Sequence, residues 1–138
     1  MGVIMQRARD ILIDAEDFLG AAKDLLRTGR WSKVCFNAQQ AAELALKAAL
    51  NAYGLERRGH SATELLGELI VLGEKCEHLR EATKILDQYY IPTRYANAFP
   101  SGPASSYFTE SQAREAVRLA EMILEVARKI VAKRKAKA

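Results

Sequence analysis

The segment NAQQAAELALKAAL, Asn37 to Leu50, limits the fold more than any other stretch of this chain. Wound as a helix at about 100° per residue, Ala38, Ala41, Ala42, Ala45 and Ala49 share roughly a third of the circumference. Side chains this small on one face let two helix axes approach closely. Such a helix needs partners of matching shape. Ala8, Ala15 and Ala22 near the start of the chain, and Ala113, Ala116, Ala120 and Ala127 near its end, recur at helical steps and supply them. The other side of the segment carries Phe36, Gln40, Glu43 and Lys47 at i, i+4, i+7 and i+11, one narrow polar stripe. Glu43 and Lys47 stand in the favourable order for an i, i+4 ion pair. Two readings follow: a solvated face with a surface pair, or a polar strip at a cleft or subunit interface, since Phe36 continues it.

Helical period runs through most of the remaining sequence. Ala8, Ile11, Ala15, Phe18, Ala22 and Leu25 form one apolar stripe, which predicts a first helix from about Met5 to Thr28. Gly29 stops it, because glycine takes the left-handed conformation after a helix at little cost. A second helix is predicted from Trp31–Ser32 to Tyr53, stopped by Gly54. The connection at Gly29–Arg30 is so short that the two should form an antiparallel hairpin. Ser61 with Glu64 is a capping-box pattern opening a third helix that reaches Leu72 or Gly73. EHLREATKILDQYY predicts a fourth. IPTRYANAFPSGPASSYF then holds all three prolines and no helical period, and long ordered loops are enriched in function. Thr109 with Gln112 is a second capping box and opens the last helix, which extends into the basic tail. No run of period two occurs. The expectation is one domain over residues 1–138, all-α, an up-and-down antiparallel bundle of about five helices.

The 138 residues suit a single domain, and a 49% hydrophobic share is enough for a core. A net charge of +4 permits phosphate contacts without requiring them. Part of that excess lies in ARKIVAKRKAKA, expected to fray in solvent. Cys35 and Cys76 sit in different predicted helices without metal-ligand spacing, and read as free thiols of a reducing compartment. The absence of an EXXH pattern and of any phosphate-binding glycine loop leaves no metal and no cofactor expected. With no secretory signal and no apolar run near the roughly 20 residues of a membrane span, the expected location is cytoplasmic, with no membrane partner.

Four stretches in order, GRWSKVCFNAQQAAELALKAAL, the Gly59–His60 pair, LDQYYIPTRYANAF and YFTESQAREAVRLAEMIL, resemble the HEPN (higher eukaryotes and prokaryotes nucleotide-binding) domain, over about Arg7 to Val131. The TRY element places the chain near a small stand-alone branch of that family. The resemblance implies an all-α bundle, commonly a homodimer, often beside a separate minimal nucleotidyltransferase chain in a toxin–antitoxin-like module. Many members are metal-independent ribonucleases whose motif is an Arg followed, after about four to six residues, by a His that does the acid–base work. Arg94 matches the Arg by position. The His would fall at Phe99, Pro100 or Ser101, and none is histidine.

That departure favours binding over cleavage. The expected function is a nucleotide- or RNA-associated binding subunit, with no catalytic residue assigned. The alternatives are an endoribonuclease toxin with a substitute for the histidine, His60 or a tyrosine, and a purely structural antitoxin-like partner. Candidate ligand-binding residues are Arg94, Tyr95, Tyr90, Asp87 and His60. Arg94 can fork onto a phosphate or pair with Asp87. Tyr89, Tyr90 and Tyr95 can stack a base or fill the core. His60, just before the Ser61 cap, can serve the cap region or a ligand. Gln40, Glu43 and Lys47 form the strip at the cleft or interface.

Overall fold

The computed structural model describes residues 2–90 and 96–137. Five helices carry the fold: α1 (Gly2–Thr28), α2 (Trp31–Asn51), α3 (Ala62–Val71), α4 (Arg80–Asp87) and α5 (Glu110–Lys137). Short 3-10 turns span Glu77–Leu79, Ala96–Ala98 and Ala104–Tyr107. Among the described residues there is no strand. The predicted fourth helix is thus a 3-10 turn followed by a short α-helix, and Gln88–Tyr90 lie in a turn beyond it.

Both glycine stops hold. Gly29 and Gly54 take φ of 79° and 82°. At each, the next amide reaches back to the carbonyl five residues earlier, Arg30 to Leu25 and Leu55 to Leu50. This doubled bonding closes the orphan carbonyls of α1 and α2 and turns the chain sharply. Met5 and Ala8 of α1 pack with Ala48 of α2, Ala52 just past its end and Val131 of α5. The start of α1 therefore lies beside the ends of α2 and α5, so α1 runs antiparallel to both. Lys23–Glu121 and Arg128–Glu16 ion pairs tie α1 to α5 in the same register. In this up-and-down order α3 and α4 together make the return leg between α2 and α5.

The alanine face sits where the sequence places it. Ala38, Ala41, Ala42, Ala45 and Ala49 are fully buried, as are Ala8, Ala15 and Ala22 of α1 and Ala113, Ala116, Ala120 and Ala127 of α5. Leu46, Leu50, Leu66, Leu69, Leu79, Leu86, Ile123 and Leu124 fill the rest of the core, all without exposure. Two features shape the C-terminal half. Thr109 Oγ1 accepts from the Gln112 amide at 3.1 Å while Gln112 Oε1 accepts from the Thr109 amide at 2.9 Å, a complete capping box for α5. The basic tail does not fray as a unit. Lys133 donates to Glu74 at 2.9 Å, and the Arg134 guanidinium lies 3.9 Å over the Tyr53 ring. Burial pushes the Glu74 carboxyl up, but hydrogen bonds from Tyr53 and Lys133 and the charges of Lys133 and Arg134 outweigh it and hold the group below its ordinary range. No helix among the described residues is long and apolar enough to cross a membrane.

Cys35 and Cys76 are free and buried. Burial, then the nearby Glu115 charge, pushes the Cys35 thiol up to about 12. Burial, then Glu74 and Glu77, raises Cys76 to about 11. Tyr89 is pushed to about 12 by burial, with smaller contributions from Cys35 and Glu115.

Two outcomes are expected. Ala42→Leu or Ala45→Leu should overpack the α2 face at a cost of about 1–3 kcal/mol, read as a lowered melting temperature; an unchanged melt would place that face elsewhere. Stability should fall as pH rises from the ordinary thiol pKa near 9.0 toward about 12, because unfolding frees Cys35, Cys76 and Tyr89 to ionise. Denaturant titrations at stepped alkaline pH check this; a curve that is flat to about pH 11 contradicts it.

Candidate functional site

The polar stripe of α2 is not a solvated face. Glu43 is 3% exposed and Gln39, one turn earlier, is fully buried. A carboxylate in that position needs several donors, since an unpaired buried charge is costly. Three converge on it. Lys47 Nζ donates to Oε2 at 2.8 Å, Gln39 Nε2 to Oε1 at 3.3 Å, and His60 Nδ1 lies 3.4 Å from the same Oε1. A carboxylate only accepts, so Nδ1 is the donor there and the neutral ring keeps its lone pair on Nε2. Gln39 is itself satisfied at both ends: Nε2 also reaches the His60 carbonyl at 3.2 Å, and Oε1 accepts from Gln40 Nε2 at 2.7 Å. Helical spacing produces this arrangement. Residues 39, 43 and 47 stand at successive i, i+4 steps and stack along one line of α2.

His60 comes from the loop between α2 and α3, held by its carbonyl and by its ring. The ring is stacked on Tyr90, with centroids 4.6 Å apart and planes 17° from parallel. Phe36 of α2 lies tilted by 32° to Tyr90, with centroids 6.5 Å apart. The His60 side chain remains 56% exposed.

Asp87 anchors the end of α4, from which the turn leads to Tyr90. This last residue of α4 accepts from the Ala62 amide at 2.7 Å, the Thr63 amide at 3.0 Å and the Ser61 hydroxyl at 3.0 Å. Its carboxylate occupies the N-terminus of α3, where unpaired amides and the helix dipole favour negative charge. Ser61 Oγ also accepts from the Glu64 amide at 3.1 Å, as its capping pattern predicts. Asp87 is thus a clamp between two helix ends, and it serves the site by position.

Arg94 and Tyr95 lie outside the described residues, as does the expected Arg94–Asp87 pair. Tyr90, Asp87 and His60 do come together, and Gln40, Glu43 and Lys47 join them through the shared network. Tyr89 goes to the core, edge-on to Phe108 at 5.9 Å. Gln39 was not among the sequence candidates, although its i, i+4 spacing from Glu43 was there to be read. Among the described residues no group of three or more His, Cys, Asp or Glu side chains could hold a metal ion.

Removing Glu43 should hurt more than any surface change. Glu43→Ala is expected to cost about 2–3 kcal/mol, less than the roughly 3–5 of a fully buried pair because Lys47 can turn its ammonium outward. Asp87→Ala should cost about 1–2 kcal/mol through the lost cap. Denaturant melts of both variants check these values; effects within a few tenths would show that the networks are incidental.

The family model for the HEPN domain matches residues 8–130. The fold superposes on TT1696 from Thermus thermophilus with a TM-score of 0.86 and 45% identity, covering 90% of this chain and 98% of that one. An archaeal HEPN homologue, ST0689, gives 0.75 and 31%, covering 90% of this chain and 97% of the other. A HEPN domain protein of Thermotoga maritima, tm0613, gives 0.71 and 32%, covering 89% and 98%. No curated protein matches the chain. A family match over nearly the whole bundle, with a solved relative 45% identical, settles the membership: this chain belongs to the HEPN domain family.

Proposed function

We propose that this HEPN protein is a nucleotide- or RNA-associated binding subunit that acts as a homodimer beside a minimal nucleotidyltransferase chain, in a toxin–antitoxin-like module. The observation that supports binding is the His60–Tyr90 stack beside the Glu43 network, in which the His60 side chain is 56% exposed. The half-exposed imidazole, already stacked on one ring, offers a surface on which a base can stack, a contact worth about 1–3 kcal/mol per base. Glu43 would repel a phosphate, but Lys47 neutralises it at 2.8 Å, so the local charge does not oppose an anionic ligand. Arg94 and Tyr95 follow Tyr90 by four and five residues and are the sequence candidates for the phosphate and second stacking contacts. Calorimetric titration with ATP, GTP and a short RNA tests this. Binding that His60→Ala or Tyr90→Ala weakens is expected; silence for all three at millimolar concentration would reject the reading. Light scattering tests the dimer: a mass near twice 15.3 kDa is expected, and a mass near 15.3 kDa would refute it.

One observation favours a second reading, metal-independent RNA cleavage. The motif histidine is absent from the sequence, yet His60 stands with Nδ1 against a buried carboxylate and Nε2 directed away, the arrangement that orients an imidazole as a general base. Incubation with RNA in EDTA separates the two. Binding without cleavage is the expected result. Cleavage that is lost in both His60→Ala and Arg94→Ala would replace the binding reading with the nuclease.

A further inference from the structure

A separate groove runs between α1, α2 and the loop after α2, with a volume of about 540 Å³. That is within the range of small-molecule sites. Ile11 of α1 and Leu44 of α2 give it an apolar lining, and Asn51 lies at the end of the same α2 face as Leu44, seven residues on. Asn51 is the unusual residue. It is 5% exposed, yet among the described residues its carboxamide makes no hydrogen bond, and it also lines an adjoining groove of about 430 Å³. Its carboxamide atoms are not sealed off, so the groove's solvent, or a ligand that replaces it, is what meets them. The group faces open space on two sides.

Both walls carry charges of each sign: Arg7 stands on α1 with the acids, and Glu56 on the loop with the bases. Asp10 and Asp14 stand one turn apart on α1, and Arg57 and Arg58 come from the facing loop. Several charges at the rim are already engaged: Arg7 with Glu56, Arg57 with Glu68, and Lys47 with Glu43. Asp14 and Arg58 make no ion pair among the described residues. The uncommitted groups are therefore an acid on one wall, a base on the other and a carboxamide at depth. A polyanion would meet both carboxylates of α1, and a polycation would meet the arginines. A molecule with one charge of each sign meets a partner at both ends.

We propose that this groove binds a small zwitterion, an amino acid or dipeptide, with its ammonium toward Asp10 and Asp14, its carboxylate toward Arg58 and a polar group on the Asn51 carboxamide. The site does not depend on the His60–Tyr90 reading and shares only Lys47 with it.

Amide NMR of the full chain tests this, using the free L-amino acids in pools and glycylglycine at about 10 mM, with AMP as the competing probe. A shift of the Asn51 side-chain amide signals is expected with at least one zwitterion and not with AMP. Arg58→Ala, an exposed change that leaves the core intact, should weaken that binding about tenfold or more. Asn51→Leu should abolish it while leaving the melting temperature unchanged or higher, since it breaks no hydrogen bond among the described residues. No Asn51 shift with any zwitterion, shifts with AMP alone, or binding that Arg58→Ala leaves intact would each overturn the proposal. A melting temperature lowered by Asn51→Leu would assign that residue to packing and overturn it as well.

Discussion

A carboxylate buried on an alanine helix has to be answered by donors from somewhere, and the site of this protein is organised by how Glu43 is answered. The close approach of α1 and α5 to α2 leaves the alanine face without exposure. Glu43 emerges at the edge of that contact, 3% exposed. Two of its donors, Gln39 and Lys47, come from its own helix at i−4 and i+4, and helix geometry supplies them without further ordering. The third, His60, arrives on a loop and ties that loop to the bundle. Tyr90 then stacks on His60, and the Asp87 clamp on α3 sets the direction from which Tyr90 comes. Each contact depends on the one before it, and the chain of dependence begins at the carboxylate.

The alternation of alanine and polar residues in α2 made the architecture readable. Small residues at helical spacing on three predicted helices have few packings available, and the observed bundle is one of them. The helix stops at Gly29 and Gly54 and the caps at Ser61 and Thr109 were readable for a related reason: each depends on residues within a few positions of one another. The short fourth helix was less so. EHLREATKILDQYY has the apolar content of one helix, but the chain begins it as a 3-10 turn and leaves it at Asp87, where the carboxylate is needed across the fold at α3.

The site was legible in its members and not in its connections. Glu43 and Lys47 could be paired from spacing, and His60 and Tyr90 could be marked as chemically able. Their meeting depends on tertiary packing that brings residues 43, 60 and 90 together, which no local pattern encodes. The solvated reading of the stripe failed for the same reason: a helical wheel shows which residues share a line, and not what covers them. The basic tail is a further case. Its composition suggested fraying, yet Lys133 and Arg134 find Glu74 and Tyr53 on distant elements.

The dependence of His60 on the buried carboxylate is the claim on which the site rests, and a double-mutant cycle measures it directly. Glu43→Gln, His60→Ala and the double variant would be compared by denaturant unfolding at neutral pH. A coupling free energy of about 0.5–3 kcal/mol is predicted, because each residue loses its partner when the other is changed. Additive effects, within about 0.3 kcal/mol, would show that Glu43 and His60 are neighbours without influence on each other and would contradict the account.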